Sequence, residues 1–142
     1  MSIVKASSSL PFVTQITHVD GVPMLDGGIA DSVPVKYAMD QGYDKLVVVL
    51  TRNYGYRKKE SHMPLAKAFY RKYPNLQKAL TERNAGYNQT MALIEKLEDE
   101  GRIVVLRPLK PVEVGRMEKD TSKLSALYHE GYEIAQKLIS EL

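Results

Sequence analysis

An aspartate followed by two glycines, Asp26-Gly27-Gly28 in the stretch MLDGGIADSVPV from Met24 to Val35, is where residue types and spacing in this sequence read as chemistry. A carboxylate at the end of a strand can serve as a general base, taking the proton from a hydroxyl as its oxygen attacks an electrophilic carbon. Glycines behind it remove Cβ atoms that would crowd a substrate, and open α/β sheets bind their ligands at the carboxyl ends of strands. The tripeptide also has a purely structural reading, in which Gly27 and Gly28 take positive φ and let the backbone pass close to another element. The residues by themselves leave both readings open.

Other candidates are weaker. His18, His62 and His129 lie too far apart for a metal-ligand spacing, so they receive no role, and Asp20 beside His18 is explained by the turn that Asp20-Gly21 signals. Ser7, Ser8 and Ser9 form no nucleophile motif and read as polar contacts at a helix end. The run from Arg52 to Lys59, RNYGYRKK, interleaves aromatic and basic side chains. Such a run could meet anionic lipid headgroups or single-stranded nucleic acid, but reads first as a solvated loop. Lys36, Asp40 and Lys45 read as surface charges.

The elements that must position Asp26 follow from punctuation and periodicity. A short helix ends near Ser9, before Pro11. Asp20-Gly21 joins Val13–Val19 to Val22–Leu25 as a β-hairpin, with Pro23 confining the second strand to an edge. A helix spans about Val33–Gln41, opened by Pro34 and closed by Gly42. Lys45–Thr51, with five consecutive aliphatics, reads as a central parallel strand buried on both faces. Helices are expected over Leu65–Lys72, Asn75–Asn84 and Tyr87–Glu100, separated by Pro74 and Gly86, the last carrying an inward stripe of Met91, Ile94 and Leu97. Arg102–Arg107 then makes a second aliphatic strand, so the order strand, helices, strand predicts a parallel crossover. Leu124, Leu127, Tyr128, Gly131, Ala135, Leu138 and Leu142 recur at helical spacing over Thr121–Leu142.

Bulk properties bound the function. With 142 residues, 44% hydrophobic and 26% charged, the chain suits one globular domain without repeats or linkers. Its 20 basic and 17 acidic side chains are interspersed and leave a net charge of +3, which gives no nucleic-acid footprint. The absence of cysteine excludes disulfides, thiolate zinc sites and a cysteine nucleophile, and fits a reducing compartment. No apolar run approaches the roughly 20 residues of a membrane span, and Met1–Lys5 does not open a signal peptide, so a cytoplasmic location is expected.

Three blocks, ASSSLPF at Ala6–Phe12, DGGIADSVPV at Asp26–Val35 and GYDKLVVVLTR at Gly42–Arg52, resemble in this order the C-terminal half of bacterial patatin-like phospholipases. The closing RMEKDTSKLSALYHEGYEIA is similar to the C-terminal helix of the small bacterial subgroup, whereas Met63–Glu100 contributes little. The resemblance implies an α/β fold, the α/β-hydrolase-related three-layer kind with parallel central strands, a hairpin near the start and a long C-terminal helix. It implies lipid acyl ester hydrolysis through a Ser-Asp dyad, and it assigns the catalytic aspartate to Asp26, with Gly27 and Gly28 as supporting motif residues. No metal or organic cofactor is implied.

One departure bears on activity. The family's nucleophile sits in a Gly-x-Ser-x-Gly elbow and its oxyanion hole in a glycine-rich loop, and none of the nine glycines here brackets a serine in that way. Residues 1–142 are therefore expected to be the C-terminal portion of a single patatin-like domain, inactive without its upstream half. The expected partners are that half, a lipid or small ester substrate, transient contact with a membrane surface, and self-association through exposed strand edges; nucleic acid is not expected. The rival expectation is a non-catalytic lipid- or partner-binding module on the same fold.

Overall fold

Asp20 and Gly21 both take positive φ, 50° and 80°, the backbone that a two-residue hairpin turn requires. They join β1, Thr17–Val19, to β2, Val22–Met24, antiparallel with Val19 opposite Val22. The computed structural model describes residues 1–60, 64–115 and 117–141. His62 and Leu142, considered above, lie outside them. The chain forms two compact units, Met1–Pro34 with Lys58–Thr90 and Val35–Arg57 with Met91–Leu142.

In the first unit, helix α1, Ser2–Ser7, packs against β1. The contact is sealed by buried Ser9 and Thr17, whose hydroxyls lie 2.8 Å apart. Beyond β2 a single 3₁₀ turn, Gly27–Ile29, drops Ile29 into a core with Ala66, Tyr70 and Leu80. Ala66 comes from α3, Pro64–Phe69, and Leu80 from the start of α4, Pro74–Asp99. Around that core pack Ile16, Leu25, Tyr73, Leu76 and Ala79.

Helix α4 corrects the sequence reading: Gly86 does not divide it. An interior glycine costs about 1 kcal/mol relative to alanine. A break would instead expose up to four amides and four carbonyls that need new partners. Gly86 has open space beside its Cα and no positive φ, so neither packing nor conformation demands an end there.

The second unit contains α2, Val35–Asp40, and the parallel pair β3, Leu46–Val49, and β4, Ile103–Leu106, in register from Leu46 opposite Ile103 to Val49 opposite Leu106. The expected crossover between parallel strands is present; β4 matches its aliphatic run, whereas β3 stops one residue short of the run Leu46–Leu50. Helix α2 packs on β3, and the long helix α5, Thr121–Glu141, packs on β4. Asp120 starts α5 by accepting the Ser122 amide at 2.9 Å. Met91, Ile94 and Leu97 are all buried, as their spacing predicts.

Strand β3 departs from expectation: Val48 is buried but Val47 and Val49 are 59% and 72% exposed. β3 thus alternates in the manner of a half-buried strand, whereas β4 is buried at Ile103 and half-buried at Val104, Val105 and Leu106. On α5, Leu127, Ile134, Ala135 and Leu138 are half-buried, while Leu124 and Tyr128 of the expected stripe are exposed. No helix among the described residues is long and apolar enough to cross a membrane.

The run from Arg52 to Lys59 is anchored rather than freely solvated. In the second unit Arg57 grips the Glu95 carboxylate with both terminal nitrogens, and the Gly55 amide donates to the same carboxylate at 3.0 Å. Arg52 lies over Tyr56, and Arg107, ion-paired to Glu98, lies over Tyr54. In the first unit the Lys58 ammonium sits 3.7 Å from the Tyr87 ring centre, and the Asn88 amide satisfies both backbone groups of Lys58.

The hydrogen bonds from Arg57 hold the Glu95 carboxyl below the usual glutamate range; burial opposes this, and the Gly55 amide and the charges of Arg57 and Arg107 reinforce it. A lowered folded-state pKa gives stability that is complete above the unfolded value and is lost as pH falls through the folded one. Glu95→Gln is therefore expected to cost about 1 kcal/mol at neutral pH, a modest figure because Arg57 is partly exposed. The variant should also lose less stability than the parent below about pH 4.3. Urea midpoints at pH 7 and at pH 3 measure both, and a constant difference between the two proteins would contradict it.

Candidate active site

The chain leaves β2 at Met24 and turns at Asp26, which caps the 3₁₀ turn in extended backbone, φ −50° and ψ 124°. Its amide donates to the Ser9 carbonyl at 2.9 Å, tying the turn to the end of α1. Its carboxylate Oδ1 accepts the Gly28 amide at 2.7 Å, which fixes the orientation of the group. Oδ2 has no hydrogen-bond partner among the described residues, and the carboxylate is half-buried. The site thus offers a carboxylate oxygen that is oriented and free to accept a proton.

Neither Gly27 nor Gly28 adopts positive φ, so the turn reading that relied on it is corrected. Gly28 is the more constrained of the two for a different reason, since a Cβ there would lie 3.1 Å from Asp26 Oδ1 and the carboxylate would have to give by a few tenths of an ångström. Gly27 faces open space, and a Cβ there would meet nothing within 4 Å. The two alanine variants should therefore differ. Gly27→Ala is expected to stabilise the fold by about 0.5 kcal/mol by restricting the unfolded chain. Gly28→Ala is expected to lose that gain and about 1 kcal/mol more as the Asp26 hydrogen bond is pushed open. Paired denaturation curves check the order, and equal midpoints would refute it.

Asp26 follows a strand, but that strand belongs to the antiparallel hairpin and not to the parallel sheet. Among the described residues Asp26 therefore does not lie at the carboxyl edge of an open parallel sheet. Sequence reasoning missed Arg83, whose Nε donates to the Gly28 carbonyl at 3.0 Å and braces the turn from α4. One arginine on an amphipathic helix carries no signal that it will reach a turn 55 residues earlier. Ser32 Oγ donates to the same carbonyl at 2.9 Å.

The serines behave as helix-end contacts. Ser8 Oγ donates to the Val4 carbonyl and Ser9 Oγ to the Lys5 carbonyl, at 3.1 and 2.8 Å. No serine hydroxyl reaches Asp26 among the described residues. His18 and His129 are exposed, and no group of acidic and histidine side chains able to hold a metal ion occurs among the described residues.

With this geometry in view, likeness to known proteins falls on two stretches. Residues 1–39, which contain Asp26, Gly27 and Gly28, match the patatin-like phospholipase family. Residues 73–142 match a family described as a domain of unknown function, DUF6363. The chain is also similar to the uncharacterized protein YjjU of Escherichia coli (strain K12), 42% identical over 52 residues, which is 36% of this chain and 15% of that protein. The matched stretch is thus a small part of the relative's length. The patatin-like match suggests a hydrolase family and an α/β fold, and the structure has small parallel and antiparallel sheets with long helices.

Proposed function

We propose that Asp26 is the general base of a patatin-like Ser-Asp hydrolase acting on lipid or simpler carboxylic esters. The supporting observation is the free Oδ2 of an oriented carboxylate inside the segment that matches the patatin-like family. In this reading the parallel strands belong to a three-layer α/β fold, and the nucleophilic serine and oxyanion donors come from sequence outside these 142 residues. Asp26 takes the serine proton as the serine oxygen bonds to the ester carbonyl carbon. The alcohol leaves with that proton, and an acyl-serine ester remains. Water then attacks the acyl carbon, Asp26 accepts its proton and returns it to the serine oxygen, and the carboxylic acid departs. A carboxylate is a weak base for a hydroxyl proton, so the oxyanion donors must supply much of the rate enhancement.

A fluorophosphonate probe tests this division of labour. The 142-residue chain alone is expected to form no stoichiometric adduct, and a polypeptide that also carries the serine elbow is expected to form one. A stoichiometric adduct on the short chain would overturn the proposal.

A second reading, a non-catalytic lipid- or partner-binding module, draws support from the second unit. There a cleft of about 480 Å³ opens beside the ends of β3 and β4, lined by Leu50, Leu106, Leu127, Ile134 and Ala135 among others. A cleft of this size and apolar character is of the kind that holds small ligands. Turnover that is lost in Asp26→Asn would favour the hydrolase; absence of turnover in a polypeptide that also carries the serine elbow would favour the module.

A further inference from the structure

Phe12 is a bulky residue in the left-handed region, φ 66°, where side chains of its kind are seldom found. Such a conformation persists only where surrounding contacts impose it, and such positions cluster at functional sites. Here the contacts are identifiable. The Phe12 amide donates to the Tyr70 hydroxyl at 2.9 Å, and the Phe12 ring meets Phe69 edge-on at 5.6 Å and Tyr70 at 5.3 Å. The turn is closed below it by the Val13 and Thr14 amides, both donating to the Leu10 carbonyl.

This arrangement does not bury the apolar groups it holds. Val13 is 76% and Phe69 67% exposed, and Leu10 and Phe12 are exposed beside them. A contiguous apolar surface that is held in place yet left in water marks an interaction site. The two stretches of chain that carry it are one-sided in charge. Neither residues 1–19 nor residues 64–81 contain an acidic residue. Lys5 shares a shallow depression with Thr14 of the same turn, and Arg71 and Lys72 directly follow the aromatic pair. Lys5, Arg71 and Lys72 are exposed and make no ion pair among the described residues.

We infer that the Leu10–Val13 turn and Phe69 dock on an anionic lipid surface, the apolar side chains entering the boundary between headgroups and acyl chains while Lys5, Arg71 and Lys72 meet the headgroups. The run between Arg52 and Lys59 suits this role less, because Arg52, Arg57 and Lys58 are engaged with Tyr56, Glu95 and Tyr87. Because the Asp26 amide is bonded to Ser9, the residue next to Leu10, the docking turn and the candidate base belong to one hydrogen-bonded segment. The inference rests on the hydrolase reading only for what is taken from the membrane.

Flotation of the 142-residue chain with phosphatidylcholine vesicles, with and without phosphatidylserine, tests it without measuring turnover. The chain is expected to float with the anionic vesicles. Arg71→Gln and Lys72→Gln should each weaken binding about fivefold. Phe69→Ser, which leaves the backbone untouched, should weaken it about tenfold or more, and further with Phe12→Asn, a residue that tolerates left-handed φ. Asp26→Asn should float like the parent, so failure of the base assignment and failure of the docking surface are read separately. Absence of flotation overturns the inference, as does parental binding by the Phe69→Ser variant with an unchanged thermal midpoint. A dimer that dissociates in Phe69→Ser, without flotation of the parent, would assign the patch to a second copy and overturn it as well.

Discussion

Asp26→Asn is expected to lower turnover of a chromogenic short-chain ester by about 10²–10⁴-fold, the contribution of a positioned general base, in a polypeptide that also carries the serine. Stability should hardly move. The asparagine carbonyl oxygen can accept the Gly28 amide in place of Oδ1, and aspartate and asparagine cap helical turns about equally well. Asp26→Ala removes both functions and should cost about 1 kcal/mol of stability in addition to the activity. Thermal midpoints and turnover measured on the same preparations separate the base from the cap. Near-normal turnover in a folded Asp26→Asn protein would remove Asp26 from the mechanism.

Ile94→Ala is expected to produce the largest loss of stability among single core truncations, about 3–5 kcal/mol. That range follows from deleting a large aliphatic side chain and leaving a cavity in its place. Ile94 is fully buried, on the stretch of α4 that forms part of the second unit. Leu124→Ala provides the contrast, since Leu124 is 42% exposed and its removal should cost about 0.5 kcal/mol. Urea denaturation of the two variants beside the parent measures this. A cost below about 1 kcal/mol for Ile94→Ala would mean that the surroundings of the side chain collapse to fill the space.

What was legible in the sequence is what depends on near neighbours. Asp20-Gly21 specified a hairpin because its two positive φ angles are a local requirement, and Met91, Ile94 and Leu97 specified a buried face because helical spacing is local too. The parallel pairing of β3 with β4 followed from two aliphatic runs separated by helices. Illegible were features that depend on distant partners. The exposure of Val47 and Val49 reflects what else covers the sheet, and an aliphatic run has the same composition whether one or both faces are covered. Gly86 was misread because its local cost is smaller than the cost of ending a helix without caps.

At the site, a turn at Asp26-Gly27-Gly28 was readable from the residue types, while the tight approach at Gly28 was not. The glycine answers to a side-chain oxygen and not to a backbone angle, and only coordinates show that approach. Arg83 on the Gly28 carbonyl belongs to the same class of long-range contact.

Each unit is assembled from two separated stretches of chain, and α4 runs through the boundary at Thr90 without interruption. The first unit cannot close until Thr90 has left the ribosome, and by then Val35–Arg57 has already emerged and must wait for Met91 onward. The aliphatic strand Leu46–Val49 is therefore synthesised well before its partner Ile103–Leu106, and it passes through an unpaired interval in which strand edges are prone to aggregate. Contacts between distant stretches also slow closure, because loop entropy is lost before the contacts are gained. Neither unit can be cut out as one continuous segment, so a nascent chain arrested between Arg57 and Thr90 should hold no finished unit and be digested throughout by protease.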